Sequence, residues 1–444
     1  MEIPITEYLE QLVAANREDS GETAQYIPEF AQADPDRLAV AFATPDGRVY
    51  CAGDVETEFS IQSISKPFTY ALAIIDHGLA HVLEHVDVEP SGDAFNEISL
   101  DPETGRPMNP MINAGAIAVH GLLTGADREA RDERLLSFYS RLAGRRLEVD
   151  EKVHASELSE AHRNTAIAYM LKSLGKLEGD PVDVVHGYTR QCSVNVTVRD
   201  LARMAAALSA GGRAPDGTQV IDPGVNRHVL SVMATCGMYD SSGEWLTRVG
   251  IPAKSGVSGG LLGVLPGQGG IAAFSPRLDA HGNSVRGIRI FERMNQHMGL
   301  HLMDAIDVPR LVNRRHVVNG VPVHEVTGDL RFVEVERVMR SFESEAPGTG
   351  PVVVDLSRVH RVKDIARRVM LESLRRLHLD GHEVRLVDPD EVLGTAHTGS
   401  GEIVRGEDAV GGYTPRLFHD VVSATGDATA DSATGDSATV VNQT

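Results

Sequence analysis

The stretch SIQSISKPFTYALAIIDHG, residues 60–78, sets the frame for the chain. It reads as a helix that opens with serines, carries Pro67 near its first turn and stops at Gly78. Just before it, LAVAFATPDGRVYCAGD (38–54) reads as a hairpin, two β-type runs joined by the turn residues Pro45-Asp46-Gly47. After it the chain is mostly helical. Ile167, Met170, Leu171 and Leu174 keep the spacing of an amphipathic helix. Thr197-Val198-Arg199-Asp200 has the form of a capping box before LARMAAALSAGG. Strand signals return only at SGVSGGLLGVLPGQGGIAAFS (255–275), followed by a helix from about 284 to 298. Strands early and late, with helices between, predict one sheet built from both ends of a domain that closes near residue 305. A helical subdomain is inserted into it.

The same helix start carries chemistry. Ser63-Ile64-Ser65-Lys66 is an S-x-x-K, and i and i+3 on a helix share a face, so hydroxyl and amine can meet. A serine hydroxyl is a poor nucleophile until a base takes its proton, and Lys can do so when burial lowers its pKa. The free N–H groups of a helix start suit a developing oxyanion. Alone, S-x-x-K arises often by chance. Downstream, however, Lys254-Ser255-Gly256 precedes the Gly-rich strand, the order in which penicillin-recognising serine enzymes pair S-x-x-K with K-[ST]-G. The chain holds six lysines (66, 152, 172, 176, 254 and 363) among 42 basic residues, and each motif contains one. Since Arg cannot give up its proton, a retained Lys fits a chemical role.

His81-Val82-Leu83-Glu84-His85 matches the H-x-x-E-H pattern of inverted zinc peptidases. No third ligand is identifiable from the sequence, so it is read as a surface helix end and no metal is expected. Asn113 lies among small apolar residues. Glu157 and Asn164 share a face if their stretch is one helix, and Tyr188 and Tyr239 can bind or relay protons.

The 444 residues carry 63 acidic and 42 basic side chains, a net charge of −21. That length points to more than one domain. The charge disfavours nucleic acid and anionic lipid as partners. Three cysteines without a CxxC pair do not make a disulfide framework or a thiolate zinc site. MEIPITEYLE has neither a basic n-region nor an apolar h-region, and no apolar run reaches the length of a membrane span, so a cytoplasmic protein is expected.

A second unit follows residue 305. PVHEVTGDLRF reads as strand, turn and strand, VERVMRSFESE as a helix and PVVVDLS as a buried strand. DIARRVMLESLRRLHLDG is an amphipathic helix and HEVRLVD a further strand. This β-β-α-β-α-β order predicts a small α/β domain. From about 420 the chain is Ser/Thr/Ala/Gly/Asp-rich and repeats SATGD, which predicts a disordered acidic tail over 420–444.

Taken in order, a set of motifs resembles the serine-dependent glutaminases on the β-lactamase-like fold. They are Ala24-Gln25-Tyr26-Ile27-Pro28, Ile61-Gln62-Ser63-Ile64-Ser65-Lys66, Val88-Glu89-Pro90-Ser91-Gly92, Asn109-Pro110-Met111-Ile112-Asn113-Ala114-Gly115-Ala116-Ile117, Ser156-Glu157, Arg163-Asn164, Tyr188 before Gln191-Cys192-Ser193, Cys236-Gly237-Met238-Tyr239-Asp240 and Pro252-Ala253-Lys254-Ser255-Gly256-Val257. The resemblance implies an α/β multidomain chain. Residues 1–305 would be a β-lactamase/transpeptidase-like catalytic domain, an antiparallel sheet flanked by helices plus an all-helical subdomain. It implies hydrolysis of L-glutamine to L-glutamate and ammonia, without cofactor, in a homo-oligomer. By position, Ser63 is the nucleophile, Lys66 its base and Tyr239 a proton carrier. The backbone N–H groups of Ser63 and Val257 form the oxyanion hole. Asn113, Glu157, Asn164 and Tyr188 hold the α-amino and α-carboxylate groups, and Tyr26 and Gln62 line the pocket. Two details depart from the pattern: Pro67 follows the lysine, and the Tyr188–Tyr239 spacing is one residue short. The H-x-x-E-H stretch falls at a helix end that varies in this family.

Residues 316–404 resemble a STAS domain through Gly328-Asp329-Leu330 and Asp355-Leu356-Ser357-Arg358-Val359. This implies a regulatory partner. Lys363 and Asp364 stand where regulatory members place a phosphorylated serine, which argues against that switch. Two other readings stay open: another serine amidohydrolase, β-lactamase, peptidase or esterase of the same fold, and a regulatory protein with an inert front domain. The absent export signal and the Glu157 and Asn164 anchors disfavour the first; the intact S-x-x-K and K-S-G disfavour the second.

Overall fold

The computed structural model describes residues 4–17, 20–91, 99–304, 312–345, 347–348, 350–393, 413 and 415–426. Gly92 of the 88–92 motif and residues 427–444 of the tail lie outside them. The chain divides into two compact units, with the boundary after Ile306.

In the first unit, β1 (Ala39–Ala43) and β2 (Val49–Gly53) form the hairpin read from the sequence. A small sheet of β3 (Phe59–Ser60), β4 (Glu148–Val149) and β5 (Val194–Val196) ties the middle of the chain together. The main sheet is completed late by β6 (Ala253–Ser255), β7 (Gly260–Leu265) and β8 (Gly269–Phe274), in the order β2-β1-β8-β7-β6 and antiparallel throughout. The sheet therefore joins the two ends of the unit through β1 and β8. Its central strands are buried along their whole length. That is why they read as continuous apolar runs: helices cover both faces. Leu262, Val264, Ala272 and Phe274 share a core with the Val198–Ser209 helix. On the opposite face, Gly263 leaves room for Phe291 of the Val285–Met298 helix.

The Thr197/Asp200 capping box is present and starts the Val198–Ser209 helix. The helical middle includes Asn113–Gly121, His162–Ser173 and Pro181–Cys192, which share one apolar cluster. Ile167 and Leu171 point into it, whereas Leu174 caps its helix and is exposed. The three cysteines are free. Among the described residues no helix is long and apolar enough to cross a membrane.

The second unit contains β9 (Val312–Val318), β10 (Val321–Leu330), β11 (Pro351–Val362), β12 (Glu383–Val387) and β13 (Arg416–Phe418). Their order is β13-β12-β11-β10-β9; β9 and β10 are antiparallel and the rest parallel. The helices Phe332–Phe342 and Asp364–Leu379 intervene as expected. Three expectations need correction. The turn expected near Gly328 is a register shift inside a continuous β10, with Gly328 at φ +101°. The hairpin turn is instead Asn319-Gly320, both left-handed, the dipeptide that favours a two-residue hairpin. The sheet also extends beyond 316–404 at both ends. Finally, the start of the expected disordered tail is a helix, Val421–Thr425. Asp420 caps it and Ala424 is buried against Val323, Val353 and Val387. Val421, just ahead of the first SATGD repeat, and Ala424 within it supply the apolar contacts of this helix.

Candidate active site

Ser63 does not sit on the α-helix itself. Residues Gln62–Ser65 form a 3₁₀ turn, and the α-helix runs from Lys66 to His77. Pro67 thus falls in the first turn, where its missing N–H costs nothing. The chain enters this turn through Gln62 at φ +49°, a left-handed conformation that a non-glycine residue adopts only when its surroundings hold it. The hold is visible. The Ser65 hydroxyl donates to the Gln62 carbonyl (2.7 Å) and accepts from the Gln191 side chain (3.0 Å), and Gln191 is in turn anchored on His120 (2.9 Å). From the other side, the loop after β6 closes on the turn. A Cβ on Gly256 would stand 3.1 Å from the Ile61 carbonyl oxygen and 3.3 Å from the Gln62 Cβ, so a glycine belongs there.

Lys66 is buried, and its amine donates to the Met111 carbonyl (3.2 Å) and to Asn113 Oδ1 (2.7 Å). Burial brings its pKa down to about 8. Asn113 opens the Asn113–Gly121 helix and gathers the polar groups around it. Its Oδ1 also accepts from the Tyr188 hydroxyl (3.2 Å), and its amide donates to Asn164 Oδ1 (3.3 Å). Gly115 permits this arrangement, because a Cβ there would overlap the Asn109 carbonyl at 1.9 Å.

Tyr239, also left-handed at φ +55°, aims its hydroxyl at the Ser255 carbonyl (3.3 Å) and shares a hydrogen bond with Ser63. Two lysines approach its ring, with Lys254 Nζ 3.6 Å and Lys66 Nζ 5.9 Å from the centroid. Lys254 is fully buried. Desolvation, and then the charge of Lys66, lower its pKa well below the ordinary lysine value.

Above these groups opens a cavity of about 330 Å³. Tyr26, Gln62, Ser63, Asn113, Glu157, Asn164, Tyr188 and Val257 all line it. Lys66 and Tyr239 lie behind this wall. Glu157 and Asn164 reach it from two helices, Glu151–Ser159 and His162–Ser173, and not from the single helix their spacing suggested. Glu157 accepts a 2.7 Å hydrogen bond from Tyr26, and burial pushes its carboxyl above the ordinary range. Cys192 lines the same cavity. Its thiol is pushed up to about 12 by burial, so it stays protonated and does not compete as a nucleophile. Sequence reasoning assigned no role to Gln191, Cys192 or Met111, although all three lie within the quoted motifs. Only the fold brings Gln191 to Ser65. A second cavity, of about 360 Å³, is lined by Arg128, Asp132, His186 and Arg190. It contains no nucleophile–base pair, so the chemistry places the candidate site at Ser63.

Residues 21–303 match the family model described as Glutaminase. A protein of Corynebacterium efficiens named glutaminase is 49% identical over 396 residues, covering 88% of this chain and 94% of that protein. The Corynebacterium glutamicum glutaminase is 48% identical over 407 residues, covering 88% and 96%. A solved structure named Mglu superimposes with a TM-score of 0.67 at 47% identity, covering 88% of this chain and all of that one. These matches span more of the chain than the first unit alone. The chain belongs to the glutaminase family.

Proposed function

We propose that the first unit hydrolyses L-glutamine to L-glutamate and ammonia through a glutamyl ester on Ser63. The carrying observation is the state of Lys66. A neutral amine has two N–H donors and one lone pair. The Met111 carbonyl and Asn113 Oδ1 engage two donors, which leaves the lone pair for Ser63, and a pKa of about 8 makes the neutral form accessible.

In the first half-reaction Lys66 takes the Ser63 proton as Oγ attacks the side-chain amide carbon. The oxyanion is received by the backbone N–H groups of Ser63 and Val257. Collapse breaks the C–N bond, and the nitrogen leaves as ammonia with the proton returned from Lys66, passed through the Tyr239 hydroxyl. Water then gives a proton to Lys66 and attacks the ester. The acyl–oxygen bond breaks, Ser63 is reprotonated and glutamate departs. Glu157 faces the substrate ammonium, since burying that cation requires a counter-charge. Asn113, Asn164 and Tyr188 take the α-carboxylate end. No metal or organic cofactor enters this chemistry.

The test is ammonia release from L-glutamine by the wild type and a Ser63→Ala variant, with L-asparagine as control. Release that persists in the variant refutes Ser63 as nucleophile. For the second unit the reading is a STAS-like module with a regulatory partner, supported by its largely parallel sheet with intervening helices. A pull-down in which the module captures nothing specific counts against it. Assembly as a homo-oligomer in the cytoplasm completes the proposal, with light scattering as its check.

A further inference from the structure

We propose that His81, His85 and Glu178 form a binding site for one divalent transition-metal ion, zinc by ligand type, outside the Ser63 cavity. His81 and His85 are one turn apart on the Leu79–His85 helix, with ring centroids 5.0 Å apart. The third ligand comes from elsewhere in the chain: Glu178, in the loop before the Pro181–Cys192 helix. Its Oε1 lies 3.5 Å from His81 Nε2 and 3.6 Å from His85 Nε2. Nitrogens and oxygens about 2.0–2.1 Å from a tetrahedral ion stand roughly 3.3–3.4 Å from one another. The carboxylate oxygen, at 3.5 and 3.6 Å, stands slightly beyond that separation from both imidazoles, and a small side-chain adjustment closes it.

The outer contacts fit as well. A metal-bound histidine usually donates its other ring N–H to a carbonyl or carboxylate, which fixes the tautomer. His85 Nδ1 lies 3.3 Å from the Lys176 carbonyl, which leaves Nε2 as its ligand atom. His81 Nδ1 faces Glu84 Oε2 at 3.6 Å, which likewise leaves Nε2 for the ion. His81, Glu84 and His85 can each bring a ligand atom within 4.8 Å of the other two, and Glu84, through His81 Nδ1, supports the site rather than ligating the ion. His77, stacked 5.1 Å from His81, stays out of the set because its Nε2 is engaged by the Leu122 carbonyl. Two imidazoles and a carboxylate with an open fourth position form a donor set suited to zinc. The ion would cross-link the Leu79–His85 helix to the segment that leads into the helix bearing Tyr188. Its role is therefore a clamp on the fold.

The experiment uses the full chain stripped of metal. Zinc is titrated against a chromogenic chelator, and cobalt(II) is added separately for its visible absorption when four-coordinate. The expected result is one ion per chain. His81→Asn and Glu178→Gln should each weaken binding at least about ten-fold, and the His81→Asn/His85→Asn double variant should abolish both the ion and the cobalt spectrum. Zinc should raise the melting temperature of the wild type and not that of the double variant, since an ion that binds only the folded chain stabilises it. The melt also shows that the variant is folded, independently of any glutamine hydrolysis. Equal stoichiometry and affinity in the wild type and the double variant, or no ion taken up by the wild type, overturns the proposal.

Discussion

Replacing Lys66 with methionine should abolish activity and remove a pH dependence from stability. Burial brings the lysine down from 10.5 to about 8 in the folded chain. The folded state therefore holds its proton less tightly than the unfolded state does. For a lysine with a lowered folded pKa, the wild type is penalised at low pH, starts to recover above pH 8 and recovers fully only above 10.5. The full penalty is on the order of 3 kcal/mol, and about 2 kcal/mol of it should be regained between pH 7 and pH 10. Methionine has no such titration. It also strands the Met111 carbonyl and weakens the contacts of Asn113, at a cost of about 1–3 kcal/mol that does not depend on pH. The diagnostic is therefore the change with pH and not the offset. Urea unfolding of both proteins at pH 7 and pH 10 should show the wild type gaining about 2 kcal/mol relative to the variant. In parallel, kcat/KM of the wild type for glutamine should rise with an apparent pKa near 8, because that parameter reports the free enzyme's base. A stability difference that is constant from pH 7 to pH 10 would refute the argument that Lys66 is held near neutrality by burial.

Tyr239→Phe removes the hydroxyl that meets Ser63 and the Ser255 carbonyl. Steady-state kinetics should show kcat down by roughly 10²-fold with KM little changed, the effect of losing a proton carrier. Glu157→Gln should act mainly on KM for glutamine, raising it at least about ten-fold as the ammonium loses its counter-charge; an unchanged KM would move the amine site elsewhere. Gly115→Ala places a Cβ 1.9 Å from the Asn109 carbonyl. It should cost at least about 2 kcal/mol in urea unfolding and lower activity through Asn113. Gly320→Ala disturbs the left-handed hairpin turn between β9 and β10. It should destabilise by about 1–2 kcal/mol while leaving glutamine hydrolysis intact.

The main sheet was legible because its strands are apolar runs bounded by turn residues, and their positions at both ends of the domain show at the scale of the whole sequence. Ser63 and Lys66 were legible because their chemistry lies within one turn of chain. Legibility failed where conformation depends on distant partners. Nothing near Gln62 announces a left-handed residue; that requires the Ser65–Gln191–His120 chain, which draws on two other helices. The break between Glu157 and Asn164 falls at Glu160 and Ala161, which carry no proline or glycine signal. Asn319-Gly320 was readable by rule, but the Gly328-Asp329 pair drew the turn to the wrong place. Glu178 is 93 residues from His85 and is brought to it by the packing of its loop against the Leu79–His85 helix.

The pairing of β1 with β8 has a consequence for how the protein is made. Residues 39–43 wait for residues 270–274 before their strand gains its second neighbour. At ribosomal speeds of about 5–20 residues per second, that interval is roughly 10–50 s. Until then the apolar segment Ala39–Ala43 lacks the strand that covers its second edge, and the turn holding Ser63 lacks the Gly256 loop that closes on it. The nascent chain thus has no assembled reaction centre until nearly the whole first unit has emerged. Chaperones that bind extended apolar segments have a window in which to act on this one. A circular permutant that joins the unit's termini and opens in a helical connection would bring β1 and β8 together early, and should shorten that window.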